Sequence, residues 1–210
     1  MILAYLGLDQ ESILDKKRRT MYSYQLQLNL PSNYTKAQKE IHSGAINFLA
    51  RNSEKELSVS KLCKATNISR STFYLYYSSI YELLTEIEDE WLRQLLNLDH
   101  ELTNSQRKSS TDFSYFSQVL DFIDANLNFV KAFLINNYNL QLVEKWKTAL
   151  KQQFWYRLGK REVTSQQDFI FEVVASTTIN SYVYYAKHRT SLSRKEIYQV
   201  IAKVMKFLEN

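Results

Sequence analysis

The residue types that shape tight turns and cross-links are scarce in this chain of 210 residues, which has three glycines, one proline and one cysteine. Sandwiches, barrels and doubly wound sheets need many tight turns, and these turns usually contain Gly or Pro. The scarcity therefore excludes all-β and α/β folds. It also excludes glycine-rich phosphate loops, because Gly7, Gly44 and Gly159 lie too far apart to form a dinucleotide or Walker motif.

Groups of metal-binding, catalytic or membrane-spanning residues are equally scarce. The single Cys63 excludes an internal disulfide and a multi-cysteine zinc site, and the three histidines have no metal-ligand spacing. No nucleophile–base pair or carboxylate dyad predicts an enzyme. No apolar run approaches the ~20 residues that span a bilayer, and the apolar segment 1–8 is too short for a secretory signal. We therefore expect a cytoplasmic protein that is not an enzyme and has no metal or cofactor.

Charge is unevenly distributed along a chain whose formal net charge is +5. Residues 31–80 contain seven basic and three acidic side chains, whereas residues 81–105 contain one basic and seven acidic side chains. A basic block followed by an acidic helix indicates a partner-facing part and a solvated connector. The alternative is a chance distribution of surface charge.

Apolar residues recur at helical spacing along most of the chain. A capping box at Thr35–Gln38 opens a helix that runs to about residue 51, and a second box at Ser79–Glu82 opens a long helix that ends before a loop at 102–110. Further apolar stripes predict helices at about 113–127, 129–134 and 142–159, another from a cap at Ser165 to about 188, and a last one from a box at Ser193–Glu196 to about 208. With two short helices near 58–77, this gives about nine helices and no convincing strand, which is an all-α fold.

The helix at 165–188 has apolar or aromatic residues on nearly every side. A helix of this kind is buried on several sides. The final helix carries its own stripe of Ile197, Val200, Ile201, Val204, Met205 and Leu208. Together these two helices favour an intermolecular four-helix bundle, and the alternative is a core helix of a monomer.

The segment 57–84 has the features of a helix-turn-helix. Val59, Leu62 and Cys63 form the apolar seam of a first helix capped by Ser58, and Asn67 tolerates the left-handed backbone that a sharp turn requires. A second helix, capped by Ser69, then presents a polar and aromatic surface to a partner.

That second helix carries side chains suited to DNA. Short side chains at Ser71 and Thr72 allow close approach to base edges, and Arg70 can pair with a guanine edge or a phosphate. The hydroxyls of Tyr74 and Tyr76 can donate to phosphates. The alternatives are a solvated surface arginine and tyrosines that pack in the core, as we expect for Phe73 and Tyr77.

The segment resembles the helix-turn-helix of the TetR family of bacterial transcription regulators. The resemblance covers about residues 35–84, and beyond it the number, length and order of the helices also agree. It is carried by Ser58, Val59, Leu62, Cys63, Ile68, Ser69, Thr72, Phe73, Tyr74, Tyr76, Tyr77, Glu82, Leu83 and Leu84. The chain departs from the family at Ile80, where a lysine usually contacts phosphate, and at Leu75, which can contact a thymine methyl or indicate weakened binding.

The resemblance implies an architecture and a function. It implies an N-terminal extension at 1–34, a three-helix DNA-binding domain at 35–80, and a larger helical ligand-binding and dimerisation domain at 81–210. The implied function is that of a ligand-responsive repressor, acting as a homodimer through the last two helices on a palindromic double-stranded DNA operator. The residues expected to contact DNA are Thr35, Lys36, Ser58, Lys61, Ser69, Arg70, Ser71, Thr72, Tyr74, Leu75 and Tyr76. The alternative, motivated by Ile80 and Leu75, is an adaptor of this fold that binds a ligand or a protein and has little affinity for DNA.

Overall fold

The structure is a computed structural model that describes residues 19–20, 28, 33–104, 114–157, 162–197 and 199. These residues form helices joined by short connections, so the predicted all-α fold class is confirmed. Two strands of two residues each, which the sequence did not predict, also pair: β1 (Arg19–Thr20) runs antiparallel to β2 (Val163–Thr164). In their register, Arg19 lies opposite Thr164 and Thr20 opposite Val163.

The first three helices are α1 (Lys36–Leu49), α2 (Val59–Thr66) and α3 (Arg70–Tyr76). A single turn of 3₁₀ helix, Glu54–Glu56, stands between α1 and α2. Each of the three predicted N-caps is confirmed, because the hydroxyls of Thr35, Ser58 and Ser69 each accept a hydrogen bond from the backbone N–H three residues later.

The turn between α2 and α3 depends on Asn67. This residue has φ 56° and ψ 33°, the left-handed conformation that an asparagine accepts more readily than most residues. The backbone N–H groups of Asn67 and of Ile68 both bond to the carbonyl of Cys63, which ends α2. The predicted turn is confirmed, and it directs α3 across α2.

The remaining helices form the larger part of the molecule. They are α4 (Ile80–Asn104), α5 (Ser114–Ala125), α6 (Leu127–Val130), α7 (Leu140–Arg157) and α8 (Ser165–His188). A π-helical turn, Lys131–Ile135, continues α6, and a further helical turn covers 194–197. The last turn has the predicted capping box, since the carboxylate of Glu196 accepts from Ser193 N–H at 2.7 Å and the Ser193 hydroxyl accepts from Glu196 N–H at 3.3 Å.

One continuous hydrophobic core joins the two parts of the described chain. It runs from Ile41 and Leu62 in the first three helices, through Leu83 and Trp91 in α4, to Phe171 in α8. Helix α4 contributes to both ends of this core, and α1 also contacts α6 and the π-helical turn 131–135, so all three elements join α1–α3 to the other helices.

Several helix boundaries differ from those that the sequence predicted. The long helix α4 continues to Asn104, past the predicted start of a loop at 102, because the backbone hydrogen bonds of a helix do not require an apolar stripe. Helix α8 is capped by Thr164 and not by Ser165, since Thr164 has the extended backbone of β2 and forms the capping box with Gln167. At the start of α4, the Ser79 hydroxyl accepts a hydrogen bond from the backbone N–H of Glu82, as predicted. The Glu82 carboxylate, however, accepts from the backbone N–H of Ser78.

Some predicted features lie outside the described residues. They include the loop from 105 to 110, the end of the seventh predicted helix near Gly159, and most of the final apolar stripe, from Val200 to Leu208. Ile197, the first residue of that stripe, is described, and it is buried in the core.

Candidate DNA-reading helix and its supports

Helix α3 presents one buried and one exposed face. Phe73 is fully buried and Tyr77, immediately after the helix, is 1% exposed, so both belong to the core as predicted. Tyr74 and Leu75 are 56% and 74% exposed, and Arg70 is also exposed. The helix is therefore anchored by two aromatic rings and offers its other side to a partner.

The N-terminus of α3 carries a small network of hydroxyl groups. The Ser69 hydroxyl accepts from the backbone N–H of Thr72 at 3.0 Å and lies 2.7 Å and 2.8 Å from the hydroxyls of Ser71 and Thr72. Ser69 and Ser71 are exposed and Thr72 is half-buried. Because these side chains are short, they project little from the helix, so a nucleic-acid backbone or base edge can approach the helix end closely.

The other predicted contact residues lie at the starts of α1 and α2. Thr35 and Ser58 are exposed caps, and Lys36 is nearly fully exposed, with its ammonium 3.8 Å from Glu40. The Lys61 ammonium lies 6.0 Å from the ring centroid of Phe48. Helix N-termini carry unpaired N–H groups and partial positive charge, which suit a phosphate oxygen.

Two predicted contact positions have special surroundings. Tyr76 is half-buried and packs against the core, with its ring centroid 6.4 Å from that of Tyr77, so it is less available to a partner than Tyr74. Ile80, at the position of the family's usual lysine, is half-buried and also packs against the core.

A hydrogen-bonded cluster that the sequence did not reveal supports the end of α3. The Tyr77 hydroxyl donates to Glu86 Oε1 on α4 at 2.7 Å, and His42 Nε2 on α1 lies 2.8 Å from that hydroxyl and 3.1 Å from Glu86 Oε1. The ring of Tyr34 meets His42 edge-on at 4.9 Å. One carboxylate oxygen therefore joins α1, the end of α3 and α4.

The protonation states in this cluster follow from its geometry. Burial raises the pKa of Tyr77, and its hydrogen bond to Glu86 raises it further, so the phenol keeps the proton that it donates. His42 Nε2 then faces two acceptors and carries the hydrogen itself. Burial lowers the pKa of His42, although the charge and hydrogen bond of Glu86 and the charge of Glu90 oppose the shift.

The larger part contains a column of stacked aromatic rings. Trp91 stacks on Phe129 at 4.7 Å and meets Trp146 edge-on at 5.2 Å, while Phe129 stacks on Phe133 at 4.6 Å and Trp146 on Tyr182 at 6.0 Å. All five side chains are buried. Their role as ordinary core is thus clear, and a second role in ligand binding stays a prediction.

The outward face of α8 is uncharged over four turns. Phe169, Val173 and Tyr184 are 67%, 48% and 56% exposed, and Thr177 and Asn180 complete the same face. The helix also contacts α7. There, Glu172 of α8 accepts a hydrogen bond from Lys147 of α7 at 2.7 Å and forms an ion pair with Lys151 of α7 at 2.5 Å. These two lysines lower the pKa of Glu172 to about 2.

No helix among the described residues combines the length and the apolar character that crossing a membrane requires.

Comparison with known proteins finds likeness in structure alone. No family model matches the chain, and no curated protein matches it in sequence. A TetR-family transcriptional regulator from Streptomyces coelicolor is similar in structure, with a TM-score of 0.58, 16% sequence identity and 81% of each chain covered.

Two further solved structures are similar to the chain. A dihydroxyacetone kinase operon activator has a TM-score of 0.50 and 18% identity, with 82% of this chain and 94% of that chain covered. A protein from Clostridium perfringens named as a fatty acid metabolism regulator has a TM-score of 0.51 and 14% identity, with 79% and 96% covered. The family resemblance seen in residues 35–84 is thus confirmed, and the chain has the fold of TetR-family transcriptional regulators.

Proposed function

We propose that this protein is a transcriptional regulator that binds double-stranded DNA through α3. The observation that carries the proposal is the anchored helix-turn-helix, in which Phe73 and Tyr77 hold α3 in the core while Arg70, Ser71 and Tyr74 are exposed. A short helix fixed in this way fits the major groove of B-DNA, where its first residues contact base edges. Such a regulator works in the cytoplasm, and we assign it no enzymatic activity.

The proposed active form is a homodimer on a palindromic operator. The uncharged outward face of α8 supports it, because exposed Phe169, Val173 and Tyr184 on a face without charge are typical of an interface, and a two-fold axis would place that face against its own copy. The final predicted helix would complete the interface. Two copies of α3 would then read half-sites about one helical turn of DNA apart.

The proposed regulation is repression that a small effector relieves. The buried indole N–H of Trp91 supports an effector site in the larger part, because it has no hydrogen-bond partner among the described residues and an unpaired buried donor is costly. A ligand that supplies an acceptor would satisfy it. Since one of the structural neighbours is an operon activator, the choice of repression over activation rests on the resemblance to the family.

A second candidate is an adaptor of the same fold that has little affinity for DNA. The packing of Ile80 against the core favours it, because the cation that usually contacts phosphate at that position is missing. The exposed Leu75 also suits a protein partner. Direct measurement of DNA binding separates the two candidates.

The test starts from a DNA duplex that the full chain selects from a random pool. We expect Arg70→Ala to lower affinity for this duplex by about 1–3 kcal/mol if Arg70 pairs with a base, or to reduce the salt slope by about one if it contacts phosphate alone. Lys187→Ala, which removes an exposed cation at the end of α8, is the control and should leave binding unchanged. If the full chain selects no duplex at low salt, the adaptor is the better description.

A further inference from the structure

A cluster of asparagines connects the larger part of the molecule to the end of α1. Asn137 Nδ2 lies 3.1 Å, 3.2 Å and 3.0 Å from the carbonyl oxygens of Leu49, Asn52 and Ala132, to which it donates. Asn137 Oδ1 accepts from the backbone N–H of Glu54 at 2.8 Å. This one side chain therefore uses both ends of its amide to bind the segment that leads from α1 to α2.

Two neighbouring asparagines strengthen the same connection. Asn136 Nδ2 donates to the carbonyl of Ala50 at 2.8 Å, and Asn128 Nδ2 donates to Asn47 Oδ1 at 3.1 Å. The last carbonyls of a helix have no partner within it and normally bond to water or to a local cap. Here the cap comes from residues more than 80 positions later. We call Asn128, Asn136 and Asn137 the asparagine clasp.

Asn136 and Asn137 of the clasp directly follow the π-helical turn 131–135, and Asn128 lies in α6 just before it. The backbone N–H of Asn136 bonds to the carbonyl of Lys131 at 2.8 Å, which is the wide spacing of five residues, and Asn137 adds its own side-chain bond to Ala132. Turns of this kind occur mostly as short interruptions of α-helices, frequently at functional sites. The geometry of this turn thus decides where Asn137 lies.

The other side of the same turn packs in the column of stacked aromatic rings described above, which we call the aromatic column. Phe133 is 2% exposed, and its ring stacks on Phe129, which in turn stacks on Trp91. A segment of five residues therefore contacts the core of the larger part on one side and the end of α1 on the other. A rearrangement that moves Phe133 would therefore act on Asn136 and Asn137, which follow it closely in the chain.

We propose that Asn137 is a positioning residue that fixes the helix-turn-helix on the larger part, and that the π-helical turn couples the packing of the aromatic column to the orientation of α1–α3. Conversion of the turn to a regular α-helix would rotate the following residues by about 100° and move Asn137 away from its carbonyls. The π-helical turn seen in the structure and the regular α-helical turn would be the two states that such coupling requires. The functional meaning of this coupling rests on the proposed function.

The positioning role is tested first without DNA. Spin labels at Lys64→Cys on α2 and Asn97→Cys on α4, both exposed, report the distance between the two parts in a Cys63→Ala background diluted with unlabelled chain. Asn137→Ala should shift or broaden this distance by several Å. Asn126→Ala is the matched control, because Asn126 Nδ2 also donates to a helix carbonyl, that of Phe122 at 2.9 Å, but within the larger part.

The control separates positioning from stability. Both asparagine variants should lower the melting temperature, and only Asn137→Ala should change the distance between labels. Phe133→Leu should change it in the same direction, because it loosens the column side of the turn. An unchanged distance in Asn137→Ala, or an equal change in Asn126→Ala, overturns the positioning role, and an unchanged distance in Phe133→Leu overturns the coupling.

The second readout is affinity for the selected duplex. We expect Asn137→Ala to weaken binding at least tenfold and Asn126→Ala less than twofold, since a misplaced α3 cannot reach both half-sites. Equal losses in the two variants contradict the inference while the proposed function stands. If the unmodified chain binds no duplex, the proposed function fails, and the label distances still decide whether Asn137 positions the helix-turn-helix.

Discussion

Replacing Gly44 by alanine tests how closely α1 and α2 approach each other. Gly44 lies in the middle of α1, facing the last turn of α2. A Cβ added there would be 2.1 Å from Thr66 Cγ2 and 3.3 Å from Leu62 Cδ1. The first distance is far inside van der Waals contact, so Thr66 or the helix that carries it has to move.

The magnitude follows from opposing effects. Alanine in a helix interior is about 1 kcal/mol more favourable than glycine. Overpacking costs about 1–3 kcal/mol, and turning Thr66 aside would also lose its hydrogen bond to the Leu62 carbonyl at 2.9 Å, worth about 0.5–1.5 kcal/mol. We therefore expect Gly44→Ala to lower the free energy of unfolding by about 1–2 kcal/mol.

A second substitution isolates the cause. Thr66→Ser removes Cγ2 and keeps the hydroxyl, so Gly44→Ala in that background should stabilise the protein by about 0.5–1 kcal/mol. Urea unfolding of the four proteins measures the coupling, which should be about 2 kcal/mol. If Gly44→Ala is stabilising in both backgrounds, the two helices are not as close as the structure places them.

Three further outcomes concern charge and assembly. Burial lowers the pKa of His42, so near pH 6.5 and below the unfolded state binds more protons than the folded state. The free energy of unfolding should therefore decrease as the pH falls through about 6.5. His42→Gln keeps a hydrogen-bond donor for Glu86 and should flatten this part of the pH profile in urea titrations. Ile80→Lys should strengthen DNA binding at low salt and less so at high salt in a mobility-shift titration, and weaker binding at low salt would mean that the packing of Ile80 matters more than the charge. Val173→Asp, in the uncharged face of α8, should give a monomer or insoluble protein by light scattering. Asn97→Asp, at an exposed position of α4 away from that face, is the control and should leave the assembly unchanged. A soluble Val173→Asp dimer would exclude this face as the interface.

Local signals explain why the helix-turn-helix could be predicted from the sequence. The caps at Ser58 and Ser69 and the turn at Asn67 each involve residues fewer than six positions apart, so their chemistry can be seen in the sequence itself. The helical spacing of Phe73 and Tyr77 likewise placed both on the buried face. Even the error at the start of α8 was only one residue, because Thr164 and Ser165 are both good caps and only the backbone of β2 selects Thr164.

The supports of the site could not be predicted, because they join residues distant in sequence. His42 meets Tyr77 and Glu86 across separations of 35 and 44 residues, and Asn137 meets the Leu49 carbonyl across 88. Hydrophobic periodicity indicates which face of a helix is buried, but it does not indicate which distant residues meet there. The π-helical turn was also missed, since the apolar spacing of its residues is that of an ordinary helix.

Whether α3 reads DNA is decided by binding of the full chain to a selected duplex, measured from low to high salt beside a scrambled duplex of the same composition. If α3 reads DNA, the logarithm of the binding constant should fall linearly with the logarithm of salt concentration, and the selected duplex should be preferred by at least about 10³. A footprint should also show two protected half-sites about one helical turn apart. Equal affinity for both duplexes, or no complex even at low salt, would contradict the claim that α3 reads DNA.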